Sequence, residues 1–242
     1  MPKPTTLAAL KTSSKLKSVP RVKRVRRGSA EDQQRLREQI LAAAVEIYRR
    51  DGLPGLTMRA VASAVGVSAM ALYRYYADKS ELVHGLWDVV MKDVQQDVSD
   101  AVTAQATALG KLRASTESAI AYWESHPDHF HLVFMTEQTL GPGRSSGVTD
   151  LPSYHLVVEL SRKVIEALAD EVGGDRSRVL LARDLRLAMI VGYLHARLVN
   201  HRYPWNDLGE LRAQMVDSIV DAVVSCLRGG QQAAGKRRRS AG

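Results

Sequence analysis

Gly66 stands between two short helix signals, and that spacing constrains the fold of this chain more than any other feature. Thr57 is a good N-cap, and Val61, Ala64 and Val65 after it fit one face of a helix about two turns long. A glycine just past a helix adopts the left-handed conformation without a Cβ clash, so the chain turns sharply there. Ser68 caps the next helix, expected to run to Tyr76, in which Ala69, Met70, Ala71, Arg74 and Tyr75 surround an inward-facing Leu72. Such a pair is either an ordinary helical hairpin or a helix-turn-helix whose second helix enters the major groove of DNA. Small side chains at the start of that helix would let its backbone come close to a groove.

The rest of the chain has helical periodicity. Ile40, Leu41, Ala44, Val45 and Tyr48 give a first helix over about Glu31 to Arg50, broken by Asp51-Gly52-Leu53-Pro54-Gly55. Asp78 with Glu81 three residues on forms an acidic capping box, and Leu82, Leu86, Val89, Val90 and Val94 continue as a stripe. Further helices are expected over Leu109 to Glu124, from Pro127, and from Pro152 to Val172, with a flexible loop at Gly141 to Gly147. Asp175 caps a helix to Asn200 that is apolar around much of its circumference. Leu208, Leu211, Met215, Ile219, Val223 and Cys226 mark the last helix. The expected fold is all-α, an N-terminal three-helix domain with a helix-turn-helix followed by a C-terminal helical domain. No run of about 18 apolar residues predicts a membrane span. The single Cys226 excludes an internal disulfide and suits a reducing cytoplasm, where it reads as a core thiol.

The net charge of +8 is concentrated at the ends. Residues 1–28 hold nine basic groups and no acid, and Lys236, Arg237, Arg238 and Arg239 add four more, so residues 29–228 carry 21 basic against 26 acidic groups. Residues 30–84 are balanced, seven against seven. Two disordered basic segments are expected, an arm at 1–29 and a tail at 229–242. Each reads either as a DNA-attracted arm or as a solvated extension. By composition the leader also fits a transit peptide, and Lys236 to Arg239 a nuclear-localisation cluster.

Read with its flanks, the opening stretch resembles the DNA-binding domain of the TetR family of transcriptional regulators. The resemblance rests on Ile40-Leu41-Ala42-Ala43-Ala44, Tyr48, Gly52, Leu56-Thr57-Met58-Arg59, Val61-Ala62 and Val65-Gly66-Val67-Ser68. It continues through Leu72-Tyr73-Arg74-Tyr75-Tyr76 and Lys79-Ser80-Glu81-Leu82 and fades beyond residue 95. Tyr48 and Tyr76 stand where the family often has phenylalanine. The resemblance implies a DNA-binding domain over 30–84 with the motif at about 58–77, and a ligand-sensing and dimerisation domain over 85–228. It also implies a homodimer through the last two helices, a pseudo-palindromic double-stranded DNA operator, a small-molecule effector and a cytoplasmic, nucleoid-associated regulator, with a repressor as the first expectation. By resemblance Tyr73, Lys79 and Thr57 hold phosphates. Arg59 reaches a base or the backbone, and Ser68 and Tyr75 complete the DNA-binding set. From the residues themselves, Ala69, Met70 and Ala71 can pack on a thymine methyl, and Arg74 can reach guanine or a phosphate. Tyr73 also fits a core role.

Trp87, Met91, Tyr122, Trp123, Phe130, Phe134, Met135, Tyr154 and Tyr193 are candidates to line an effector cavity, although large side chains at helical spacing fill cores first. His126, His129 and His131 lack a spacing suited to a metal, so no metal and no cofactor is expected. Two other classes stay open. A nonspecific DNA binder would act through its basic arms alone, and an all-helical enzyme would need a nucleophile motif or a metal-spaced acidic pair that the chain does not offer.

Overall fold

Capping chemistry sets where the helices begin. The computed structural model describes residues 29–135, 147–200 and 202–240, and every regular element among them is helical. Ser29 Oγ accepts from the Asp32 amide while the Asp32 carboxylate accepts from the Ser29 amide, a reciprocal cap that opens α1 (Ala30–Gly55). Thr57 Oγ1 accepts from the Ala60 amide at 3.1 Å and starts α2 (Met58–Ala64). Gly66 has φ 71°, and Ser68 Oγ then accepts from the Ala71 amide at 3.1 Å to start α3 (Ala69–Leu72). Asp78 caps α4 (Lys79–Thr103) by accepting from the Glu81 amide, and the Glu81 carboxylate reaches back to the Ala77 amide. The starts at Thr57, Ser68 and Asp78 are those that the local residue types predict.

The C-terminal layer comprises α5 (Ala108–Ser125), α6 (Pro127–Phe130) with a π-helical turn at His131–Met135, α7 (Pro152–Glu171), α8 (Val179–Val199) and α9 (Leu208–Ser240). α4 packs on α1, α5 and α7, and α9 lies against α8 and α5. One apolar core runs from Ile40 and Leu56 under the first three helices, along Leu86, Val90 and Val94 of α4, to Ile165, Leu194 and Val223. Reader and body therefore share α4 as a common beam, and the expected boundary between residues 84 and 85 falls inside that continuous helix.

Several expectations need correction. The break expected within Asp51 to Gly55 falls at Gly52 (φ 66°, ψ −171°), but it is a kink and not an end, because Leu53 to Gly55 resume a helical path and the Leu56 amide bonds the Gly52 carbonyl. The second helix of the motif is shorter than Ser68 to Tyr76. After Leu72 the Arg74 and Tyr75 amides bond to Ala71 and Leu72, three residues back, and the helix tightens into turns. Ala64 is exposed, and Met58 and Ala62 join Val61 on the buried face of α2. A short 3-10 turn, Arg176–Arg178, precedes α8, so Asp175 caps that turn. α9 continues to Ser240, through the tail expected to be disordered, where Gln, Ala, Lys and Arg are good helix formers. The basic arm up to residue 28 and the loop at 141–146 lie outside the described residues.

Candidate nucleic-acid interface

Leu72 turns inward with no exposed surface, and α2 buries Met58, Val61 and Ala62 against Ile40, Ala44 and Ile47 of α1. That packing fixes which side of α3 faces out. Met70 is 77% exposed and Tyr73 49%, and Ala69, Arg74, Thr57, Arg59 and Ser68 are exposed with them. Ala71 is half-buried, and Tyr75 packs against the core, so of the two neighbouring tyrosines only Tyr73 presents its ring outward. Tyr76 is fully buried, with the Arg37 guanidinium 4.9 Å from its ring centre.

The balanced charge of this domain is unequally committed. Arg49 pairs with Glu46 at 2.8 Å and Arg50 with Asp51 at 2.7 Å. Lys79 Nζ donates to the Leu53 carbonyl oxygen, and partial burial pulls its pKa down. Lys79, expected at a phosphate, thus already fastens α4 to the end of α1. Arg59 and Arg74 make no ion pair among the described residues and are the exposed cations on α2 and the turn after α3. One turn of chain therefore offers an apolar tip, a phenol and a guanidinium. These groups suit methyl contact, hydrogen bonding to base edges and phosphate binding.

The cavity candidates separate into two groups. Met91, Trp123, Phe134 and Tyr154 line a cavity of about 380 Å³ between α4, α5, α7 and α8. Trp87, Tyr122, Phe130, Met135 and Tyr193 do not line it. Trp87 Nε1 donates to the Leu132 carbonyl at 3.0 Å, Tyr122 pairs with His129 Nδ1 at 2.9 Å, and Tyr193 donates to Glu124 at 2.7 Å, so these rings serve packing and cross-helix hydrogen bonds. Phe130 is fully buried beside Trp123, and Met135 is exposed. His126 and His129 stack with ring centres 5.0 Å apart, and among the described residues no group of three His, Cys, Asp or Glu side chains could hold a metal.

Sequence reasoning missed Arg186, which is 8% exposed in the cavity wall. Its one legible signal is a cation inside the apolar run of α8, within reach of no acid that helical spacing identifies as its partner. Burial alone pulls its pKa down to about 10. No helix among the described residues is long and apolar enough to cross a membrane.

Residues 40–86 match the family described as bacterial regulatory proteins, tetR family. Over 113 residues the chain is 32% identical to the HTH-type transcriptional repressor DrrR1 of Streptomyces coeruleorubidus, covering 46% of this chain and 40% of that protein. Over 92 residues it is 27% identical to the nucleoid occlusion factor SlmA of Vibrio cholerae, covering 38% and 47%. The matched stretches thus span less than half of either relative. The fold is similar to that of a protein of unknown function from Rhodococcus sp. RHA1, with TM-score 0.65 at 18% identity, covering 82% of this chain and 97% of that one. It is also similar to the regulator PfmR of Thermus thermophilus, with TM-score 0.55 at 19% identity and coverage of 75% and 97%.

Proposed function

We propose that the chain, whose residues 40–86 match the TetR family of DNA-binding transcriptional regulators, is a ligand-responsive repressor of that family. In this reading it binds a pseudo-palindromic operator on the nucleoid as a homodimer and is released by a small molecule. The family is one of regulators, not enzymes. The observation that carries the reading is the outward face of α3. Met70, Tyr73 and Arg74 are exposed together just past the Ser68 cap, while Arg49, Arg50 and Lys79 of the same domain are already committed.

Two further features support the finer parts. α8 leaves Leu181, Asp184, Ala188, Gly192 and His195 exposed at helical spacing, a stripe in which Leu181, Ala188 and Gly192 are apolar or small. A second copy across a two-fold axis would cover it and place two readers about one helical turn, roughly 34 Å, apart. Met91, Val94 and Val98 of α4 line the cavity, and the same helix begins at Lys79 against the reader. A ligand there would press on the beam that positions α3.

Selection of bound fragments from the host genome tests the proposal, with the region upstream of the protein's own gene as the first target. A palindromic site is expected. Recovery of none would sink the regulator reading. Deleting residues 1–28 and 236–239 separates it from nonspecific binding through basic arms. Site preference should survive the deletion, whereas a nonspecific binder would lose all affinity.

A further inference from the structure

The cavity is of a size usual for small-molecule sites, and its wall is apolar through Met91, Val94, Trp123, Val164 and Ile190. Its polar lining includes Thr149, His155 and the Arg183–Asp184 pair, and Arg186 is its one buried charged side chain among the described residues. Arg186 Nε donates to Thr116 Oγ1 at 3.0 Å, one terminal nitrogen to Ser161 Oγ at 3.1 Å and the other to Ser115 Oγ at 3.3 Å. The Ser115 and Thr116 hydroxyls donate in turn to the Leu112 carbonyl, which leaves their lone pairs to face the guanidinium. Every one of these acceptors is neutral.

A guanidinium has five N–H donors, and this one uses three. One donor on each terminal nitrogen has no hydrogen-bond partner among the described residues. No carboxylate pairs with Arg186 among them either. Asp184, the acid at the cavity rim, is taken by Arg183 at 2.7 Å. A charge held this far from water is costly unless an opposite charge meets it, and a neutral side chain would join the same three hydroxyls without that cost. Burial lowers the pKa of Arg186 only to about 10, so it remains a cation near neutrality.

We propose that the cavity binds an organic acid with an apolar body, its carboxylate received by Arg186 and its hydrocarbon by Trp123, Met91 and Val94. Arginine suits this role because its planar fork meets a carboxylate with two parallel hydrogen bonds. The acid is the effector of the regulator proposed above, and that assignment rests on that reading. The binding chemistry itself does not.

The test uses the full chain and calorimetric titration with straight-chain acids from hexanoate to dodecanoate and with para-alkyl benzoates, each beside its primary alcohol. At least one acid should bind more tightly than its alcohol, on the order of tenfold to a hundredfold, the worth of a charge-assisted pair. Arg186→Gln should abolish that preference and leave the helical circular dichroism intact. Should that variant fail to fold, Val98→Phe, which fills the cavity from α4 and keeps Arg186, should abolish binding of the acid. Absence of binding by every acid, equal binding of acid and alcohol, or a preference that survives either substitution overturns the proposal. The titration needs no DNA. Acid binding without a recoverable operator would leave the site standing and remove the regulator, and an operator without acid binding would do the reverse.

Discussion

Lys79 Nζ lies 2.5 Å from the carbonyl oxygen of Leu53, so the first residue of α4 is pinned to the last turn of α1. A cation at that place also suits the negative end of a helix. Lys79→Ala is expected to cost about 1.5 kcal/mol of stability, the scale of a hydrogen bond from a charged donor. It should weaken binding to every DNA sequence alike, because the reader as a whole loses its anchor. Thermal unfolding of the variant beside titration with operator and scrambled duplexes checks this. Reduced affinity with an unchanged Tm would assign Lys79 to phosphate contact alone.

Tyr73 and Arg74 stand outside the core, so Tyr73→Phe and Arg74→Ala should shift stability by no more than about 0.5 kcal/mol. Their effects on DNA should differ. Loss of the Tyr73 hydroxyl is expected to weaken all sequences alike and leave base preference intact. Loss of Arg74 should relax preference at one operator position by about 1–3 kcal/mol. Binding selection from a randomised duplex pool measures both, and an unchanged preference for Arg74→Ala would remove it from base readout.

Caps and turns were legible in the sequence because their chemistry is local. Thr57, Ser68, Asp78 and Gly66 each act within about four residues of themselves, and each performs the role its type predicts. The kink at Gly52 was half legible. The glycine marked the break, but resumption of the helix through Pro54 depends on packing beyond the pentapeptide. The lining of the cavity was not legible by kind. Trp87 and Trp123 are both buried aromatics, and what separates them is a carbonyl 45 residues away that takes the Trp87 indole N–H. The setting of Arg186 was hidden for the same reason, since its hydroxyl partners on α5 are 70 and 71 residues distant.

Leu181 is 55% exposed on α8, on the same stripe as Ala188 and Gly192. Leu181→Glu should leave the single chain folded, since the side chain lies outside the core. A carboxylate within an apolar helix pair carries a burial cost that an isolated chain does not meet. Sedimentation should therefore show a shift from dimer to monomer, with affinity for a two-half-site operator falling far more than affinity for one half-site. A variant that sediments as a dimer would move the interface off this stripe.

His129 is expected to make the fold sensitive to mild acid. Its Nδ1 pairs with the Tyr122 hydroxyl, its ring stacks on His126, and Nε2 is 4.0 Å from an Asp128 carboxylate oxygen. Burial pulls its pKa below the ordinary 6.5, helped by His126 and Arg49 and opposed by Asp128 and Asp93. The folded chain therefore binds fewer protons at this site than the unfolded chain. Its contribution to stability is complete above about pH 6.5 and declines as the pH falls toward the depressed value. Asp93 works in the opposite sense, because burial raises its pKa and favours the folded state once its carboxyl is protonated. His129→Gln removes the imidazole and retains polar atoms for the Tyr122 hydroxyl. The Tm of the native chain should fall more steeply than that of His129→Gln between about pH 7 and pH 5. Parallel Tm profiles would show that the His129 proton is not linked to folding.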